Sequence, residues 1–242
     1  MRRKRFLQKS NQKMFDLVTS TWNPLGGACP HHCVYCWSMG EKGLVNRYDM
    51  KKYRGPIRLI PKEMERNFKA GEFVFVQDMS DLFAETVPNE LIAKVITHTV
   101  KFPETTFLFL TKNPQRYFGW CFPKNVICGA TIESNRDYPE ISKAPLQFNR
   151  VHAMTNLKNV RKMVSVEPIM DFDVDDFTTY LQAIAVNPTL ELIYFGYDNY
   201  NNNLSEPSIT KVSKLLENLQ ELHSGEVATE IRLKPSIKKR WQ

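Results

Sequence analysis

Apolar residues in this 242-residue chain fall into short blocks separated by longer mixed stretches. Six blocks rich in Val, Ile, Leu and Phe read as buried strands: 15–21, 73–78, 106–112, 126–133, 162–168 and 191–198. Unbroken apolar runs of this length suit strands covered on both faces. Helical spacing appears between them. In 88–100 a proline opens the first turn, and Ile92, Val95, Ile96 and Val100 follow on one face. The stretch 173–186 behaves likewise, and in 207–222 Val212, Leu215, Leu216, Leu219 and Leu222 form one stripe. A further helix is expected near 61–70. Six alternations of strand and helix predict an α/β fold of parallel strands with right-handed crossovers, as an open doubly wound sheet or a partial barrel.

The strand blocks end in polar residues. These are Gln77, Asp78, Ser80 and Asp81; Thr111 and Lys112; Glu133, Ser134 and Asn135; Glu167; and Asp198 and Asn199. In parallel α/β folds the C-terminal strand edge is where ligands bind. Turns also begin with polar residues, so one such end means little. Five of them beside a cluster of thiols mean more.

Composition narrows the class. Hydrophobic content of 42% and charged content of 24% fit a soluble globular protein. No apolar run reaches the length of a transmembrane helix, and no apolar segment follows the basic start, so neither a membrane span nor a secretory signal is expected. The odd number of cysteines, five, argues against a disulfide framework and for a reducing, cytoplasmic location. No linker or repeat divides the chain. One domain is expected over 1–242, with a basic tail (1–13), a core (14–200) and a C-terminal helix with a basic end (201–242). The Asn-rich stretch 197–203 reads as a loop.

The net charge of +7 sits at the two ends. Residues 1–13 carry six Lys/Arg and no acid, and 229–242 carry five Lys/Arg and one acid. Such ends attract phosphates, which makes DNA or RNA a candidate partner, although solvated termini give the same pattern.

Three of the five cysteines, Cys29, Cys33 and Cys36, fall within eight residues as C-x3-C-x2-C. They follow the first strand block and so belong to the ligand-binding edge. Structural zinc needs a closed shell of four. Cys121 and Cys128 are remote, Cys128 reads as a core residue of a strand, and His31 or His32 would strain the shell as a fourth ligand. A [4Fe–4S] cluster fits three thiolates better, because it leaves one iron open to a substrate or cofactor. His31 and His32 either shield such a cluster or are solvated. Trp22 and Trp37 flank the loop and are expected to pack over it, Cys121 reads as a free thiol, and His98 as a partly exposed helical residue.

The run Cys29-Pro-His-His-Cys33-Val-Tyr-Cys36 resembles the CxxxCxΦC motif of the radical S-adenosylmethionine (radical SAM) superfamily, including an aromatic residue, Tyr35, before the last cysteine. WNP at 22–24, DMSDLF at 78–83, LTKNPQR at 110–116 and SVEP at 165–168 resemble a phage-associated branch of it that carries a domain of unknown function. The likeness runs from about residue 20 to 200. It implies a partial (β/α)6 barrel of radical SAM type. It also implies a [4Fe–4S] cluster on Cys29, Cys33 and Cys36, bound SAM, and a reductant protein for the cluster. The implied activity is reductive cleavage of SAM to a 5′-deoxyadenosyl radical that abstracts hydrogen from a substrate the branch does not name, with nucleic acid as one candidate. The superfamily's usual glycine-rich segment after the second strand is replaced here by 77–81, where Asp78, Ser80 or Asp81 would accept from the SAM ammonium. Glu133 and Ser134 would meet the ribose hydroxyls, Lys112 the SAM carboxylate or a substrate phosphate, and Glu167 the adenosine or substrate. Each of these residues could equally brace the barrel mouth. The rival readings are a nucleic-acid-interacting iron–sulfur protein without turnover and a zinc-stabilised binding protein.

Overall fold

A computed structural model describes residues 14–186, 189–220 and 229–240. Its elements in chain order begin with β1 (Ser20–Trp22), β2 (Leu25–Gly26), α1 (Leu44–Arg47), β3 (Arg58–Leu59), β4 (Phe73–Val76) and α2 (Asn89–Val100). Then come β5 (Thr106–Thr111), β6 (Val126–Thr131), α3 (Gln147–Asn156), β7 (Arg161–Val166) and α4 (Val174–Ala185). The last are β8 (Leu190–Phe195), α5 (Ile209–Asn218), β9 (Glu230–Leu233) and α6 (Pro235–Lys238). Seven strands form one parallel sheet in the order β1-β4-β5-β6-β7-β8-β9, while β2 and β3 pair antiparallel beside it.

The strand order follows the chain, so each crossover carries it one strand further in the same direction. Right-handed crossovers of that kind put the crossover helices on one face of the sheet. The packing bears this out. Alternate strand residues, among them Val74, Phe107, Cys128, Val164 and Ile193, are buried against α2, α3, α4 and α5. The intervening residues Leu108, Ile127, Met163, Leu192 and Tyr194 pack together on the other, helix-free face. That face carries the site at its C-terminal edge. The fold is therefore mixed α/β around a singly wound parallel sheet, the arrangement from which a (β/α) barrel is built.

The segment expected as the first strand is displaced. Residues 15–19 are not strand, and β1 begins at Ser20. Phe15 instead lies on the helix-free face, its ring centroid 4.7 Å from that of Tyr194 and 6.0 Å from that of Phe75. Burying such a ring contributes about 1.5–3 kcal/mol. Asp16 accepts from the Tyr194 hydroxyl at 2.6 Å and pairs with Arg232 of β9 at 2.6 Å, so this segment ties the two ends of the sheet together.

Other differences have similar causes. The helix expected near 61–70 is a 3-10 turn, Pro61–Glu65, because the chain then extends so that Phe68 can enter the helix-side core. Trp22 does not cover the cysteines. It is fully buried beside Phe68 and Phe107, and its indole N–H donates to the Glu63 carbonyl at 2.9 Å. His98 is only 4% exposed, stacked near Trp22 and bonded to the Arg66 carbonyl. The helices expected over 88–100, 173–186 and 207–222 are α2, α4 and α5, with residues 221 and 222 outside the described set. Cys128 is a fully buried core residue. Among the described residues no helix is long and apolar enough to cross a membrane.

Candidate functional site: a thiol loop held by two carboxylates

The cysteine loop starts from a fixed base. Gly27 N donates to the Lys52 carbonyl and Ala28 N to the Gly55 carbonyl, both at 3.0 Å. Gly27 has φ +104, and a Cβ there would lie 2.5 Å from the Pro56 carbonyl oxygen, so only glycine fits. Further on, a strap of residues 138–145 crosses the loop. Val34 N donates to the Ile141 carbonyl at 2.9 Å and Lys143 N to the His31 carbonyl at 2.7 Å. Two sulfurs have hydrogen-bonding partners: Cys33 Sγ lies 3.1 Å from Ser142 Oγ, and Met39 N donates to Cys36 Sγ at 3.2 Å.

Cys29, Cys33 and Cys36 all border one cavity of about 310 Å³ at the C-terminal edge of the sheet. Asp78, Ser80, Asp81, Lys112 and Glu167 line the same cavity. Glu133 and Ser134 do not. Ser134 Oγ donates to the Asp171 carbonyl at 2.6 Å and accepts from Arg136 N at 3.0 Å. Trp37 borders the cavity, and Phe15 and Leu110 also line it.

The side chains between the cysteines anchor the loop. His31 is buried, with Nε2 2.8 Å from Asp81 Oδ2. The same oxygen accepts from Thr111 Oγ1 at 2.8 Å and Lys112 N at 2.9 Å, and Oδ1 accepts from Phe83 N at 2.8 Å. Tyr35 donates its hydroxyl to Glu133 Oε1, which also lies 3.3 Å from Lys112 Nζ. Glu133 Oε2 accepts from Arg150 Nη1 at 2.6 Å and Gln147 Nε2 at 2.7 Å. The acceptor positions of this carboxylate are thus filled by the protein. Gln147 and Arg150 come from α3, three residues apart on its inward face, and neither was expected from the sequence. His32, by contrast, is exposed.

Burial alone would raise the pKa of Glu133, but the Arg150 guanidinium and the Lys112 ammonium outweigh it and hold the carboxyl at about 2. Burial works to lower Lys112, and Glu133 more than offsets it, so the lysine stays raised. Asp81 is likewise held low against its burial, first by the hydrogen bond to His31. The thiols go the other way. Burial, helped by Asp81, pushes Cys29 up to about 12, and burial raises Cys33.

Across the cavity, Glu167 at the end of β7 accepts from Asn199 Nδ2 at 3.0 Å and pairs with Lys234. Gly196 makes room for it, since a Cβ there would lie 2.8 Å from Glu167 Oε1. Lys234 was expected to belong to a basic end that either contacts phosphate or is solvated, yet it is 6% exposed and lines the cavity. Arg232 pairs with Asp16 and Glu230, and Arg240 with Glu206, while Lys238 and Lys239 are exposed and have no ion pair among the described residues. The basic cluster of residues 1–13 lies outside the described residues. Asp78 accepts from Asn23 Nδ2 at 2.6 Å, and Ser80 Oγ from Gln77 Nε2 at 2.7 Å, which joins the segments 22–24 and 77–81 into one wall.

Thiols buried at raised pKa become thiolates only against a strong positive partner, and soft sulfur donors favour iron–sulfur clusters, zinc or copper(I). Among the described residues no three His, Cys, Asp or Glu side chains are grouped closely enough to hold a single ion. A cluster offers each thiolate its own iron, so three separated thiols around one cavity fit it.

A family model described as "Protein of unknown function (DUF5131)" matches residues 13–186. The chain belongs to the DUF5131 family. The match covers the thiol loop, both anchoring carboxylates and Glu167, while Asn199 and Lys234 lie beyond it. No curated protein matches the DUF5131 chain. It is similar to a solved structure of a mutant spore photoproduct lyase with bound AdoMet and dinucleoside spore photoproduct, with a TM-score of 0.48 and 11% identity. That similarity covers 82% of the present chain and about 60% of the length of the lyase.

Proposed function

We propose that this protein is a radical SAM enzyme, with a [4Fe–4S] cluster on Cys29, Cys33 and Cys36 and SAM in the adjoining cavity. The supporting observation is that all three thiols open onto the same 310 Å³ cavity as the polar ends of β4, β5 and β7. When bound, cluster and cofactor would supply one-electron cleavage of SAM and abstraction of hydrogen from a substrate.

The chain's own residues divide the remaining work. Asp81 and Glu133 position the thiol loop through His31 and Tyr35. Asp78 and Ser80 stand on the cavity wall to receive the SAM ammonium. Lys112 faces the cavity while its partner Glu133 is saturated, which suits it to hold a carboxylate. Glu167, Lys234 and Asn199 form a polar wall opposite the thiols for adenosine or substrate. Phe15, Phe75 and Leu110 give the cavity an apolar floor. Glu133 and Ser134, outside the cavity lining, serve the site as braces in this scheme.

The test is anaerobic reconstitution followed by iron and sulfide analysis and assay for 5′-deoxyadenosine. About four irons per chain and reductant-dependent 5′-deoxyadenosine are expected. Stoichiometric zinc without iron, or a cluster that never cleaves SAM, would favour one of the two rival readings.

A further inference from the structure

Cys29 and Cys33 border a second cavity, of about 520 Å³, on the outer side of the loop. Cys36 borders only the central one. The first two cysteines therefore form a thin wall between the site and the exterior. The outer cavity runs from His32 and Val34 to Asn46, Arg54 and Gly55.

The surface around it is basic. Residues 41–58 hold six Lys/Arg against two Asp/Glu. Lys42, Arg47, Lys51, Arg54 and Arg58 are exposed. Arg58 is aimed by the Lys52 carbonyl at 3.0 Å and Arg54 by Asn46 Oδ1 at 3.2 Å. The contact between Arg54 and Asp49, at 3.4 Å, is itself exposed and neutralises little. Two apolar side chains stand open beside these charges, Val34 at 45% and Tyr48 at 67%. An exposed aromatic among arginines is the composition of a protein-docking surface.

We infer that this outer face docks a one-electron carrier protein with an acidic surface, which reduces the cluster through the Cys29–Cys33 wall. The inference rests on the cluster reading above and adds the partner's place and charge. One electron leaves the reduced carrier, which is oxidised by one unit, and enters the cluster, which is reduced by one unit; no bond or proton changes place. A nucleic acid would also be drawn to basic charge. As a substrate, however, it must reach the central cavity, and a strand bound here would lie on the wrong side of the loop. An electron has no such restriction.

Long-range charge steers association and is weakened by salt. The experiment compares iron-loaded wild type with an iron-loaded Lys42→Glu/Arg47→Glu/Lys51→Glu variant. Arg54 and Arg58 are kept because each makes two or more hydrogen bonds to the loop, whereas Arg47 makes one, to the Lys42 carbonyl at 3.2 Å. Reduced ferredoxin serves as the acidic carrier and photoreduced 5-deazariboflavin as a neutral small reductant, with cluster bleaching followed by stopped flow. The variant should accept electrons from ferredoxin at least about tenfold more slowly at low salt, with a shallower salt dependence, and equally fast from the deazaflavin. The neutral Arg47→Gln/Lys51→Gln variant, milder for folding, should fall between. Equal ferredoxin rates in iron-loaded proteins would overturn the docking surface alone. So would a loss of DNA binding at an unchanged ferredoxin rate, which would assign the patch to nucleic acid. Failure of the wild type to bind iron would overturn the cluster reading and this inference with it.

Discussion

The two holds on the thiol loop are built from different chemistry. On one side Asp81 meets His31, a threonine hydroxyl and two backbone amides, none of them a permanently charged group. On the other, Glu133 meets Tyr35 and Gln147 and also two cations, Lys112 and Arg150. Both carboxylates are buried. The difference is what remains when one is removed. Loss of Asp81 leaves a histidine, a hydroxyl and two amides short of an acceptor, whereas loss of Glu133 leaves two buried positive charges without their counterion. The loop thus has one hold that tolerates damage and one that does not.

Glu133→Ala makes the sharpest break. Removing one partner of a buried ion pair costs about 3–5 kcal/mol, and denaturant unfolding should show a loss of that size. A loss below about 1 kcal/mol would mean that water reaches Arg150 and Lys112 and that the two holds are alike.

Acid separates the holds without mutation. The Glu133 carboxyl is held at about 2 against an ordinary value of 4.5. A lowered carboxyl stabilises the fold fully above its ordinary value, and that stability is lost as pH falls through 4.5 toward 2. The loss amounts to about 3 kcal/mol. Unfolding measured from pH 6 to 2 should show a drop that Glu133→Gln largely removes. An identical pH slope in the two proteins would contradict the charge-based hold.

Asp81→Ala should cost less, about 1–3 kcal/mol, the usual price of leaving hydrogen-bond donors unsatisfied. Asp81→Asn, which keeps one acceptor, should cost less still. If Asp81→Ala proved as damaging as Glu133→Ala, the contrast between the holds would fail.

Lys162 supplies the mirror case, a buried cation with no carboxylate partner among the described residues. It lies on β7 away from the site, and its ammonium donates to the Met154 carbonyl at 3.0 Å, in the last turn of α3. Burial pulls its pKa from 10.5 to about 8. The unfolded chain therefore holds the extra proton between those values, so stability rises as pH climbs from about 8 to 10.5. A shift of that size corresponds to about 3 kcal/mol. Lys162→Met should lose this slope and be the more stable protein at pH 7. A destabilised variant would show that the carbonyls fully compensate the charge.

These contrasts also mark what the sequence could reveal. Strand ends placed Asp81, Lys112, Glu133 and Glu167 on one edge, because apolar runs and their polar ends carry a period that needs no tertiary context. The partners of Glu133 were hidden because α3 is short and polar, and its inward Gln147 and Arg150 look like surface residues until a carboxylate faces them. Lys234 was misread for a different reason. Glu230-Ile231-Arg232-Leu233-Lys234 has the alternation of a half-buried strand, but its high charge gives it the same composition as a solvated end. Phe15 shows the limit of local pattern. Its block has the composition of a strand, and the helix-free face claims the ring instead.

The central claim is that Cys29, Cys33 and Cys36 together hold an iron–sulfur cube whose fourth iron binds SAM. The most direct measurement is the EPR spectrum of the reduced, anaerobically reconstituted protein with and without SAM, alongside the Cys33→Ala variant. A [4Fe–4S]+ signal that shifts when SAM is added is expected in the wild type, and no cluster in the variant. A signal indifferent to SAM, or a cluster retained without Cys33, would contradict that claim.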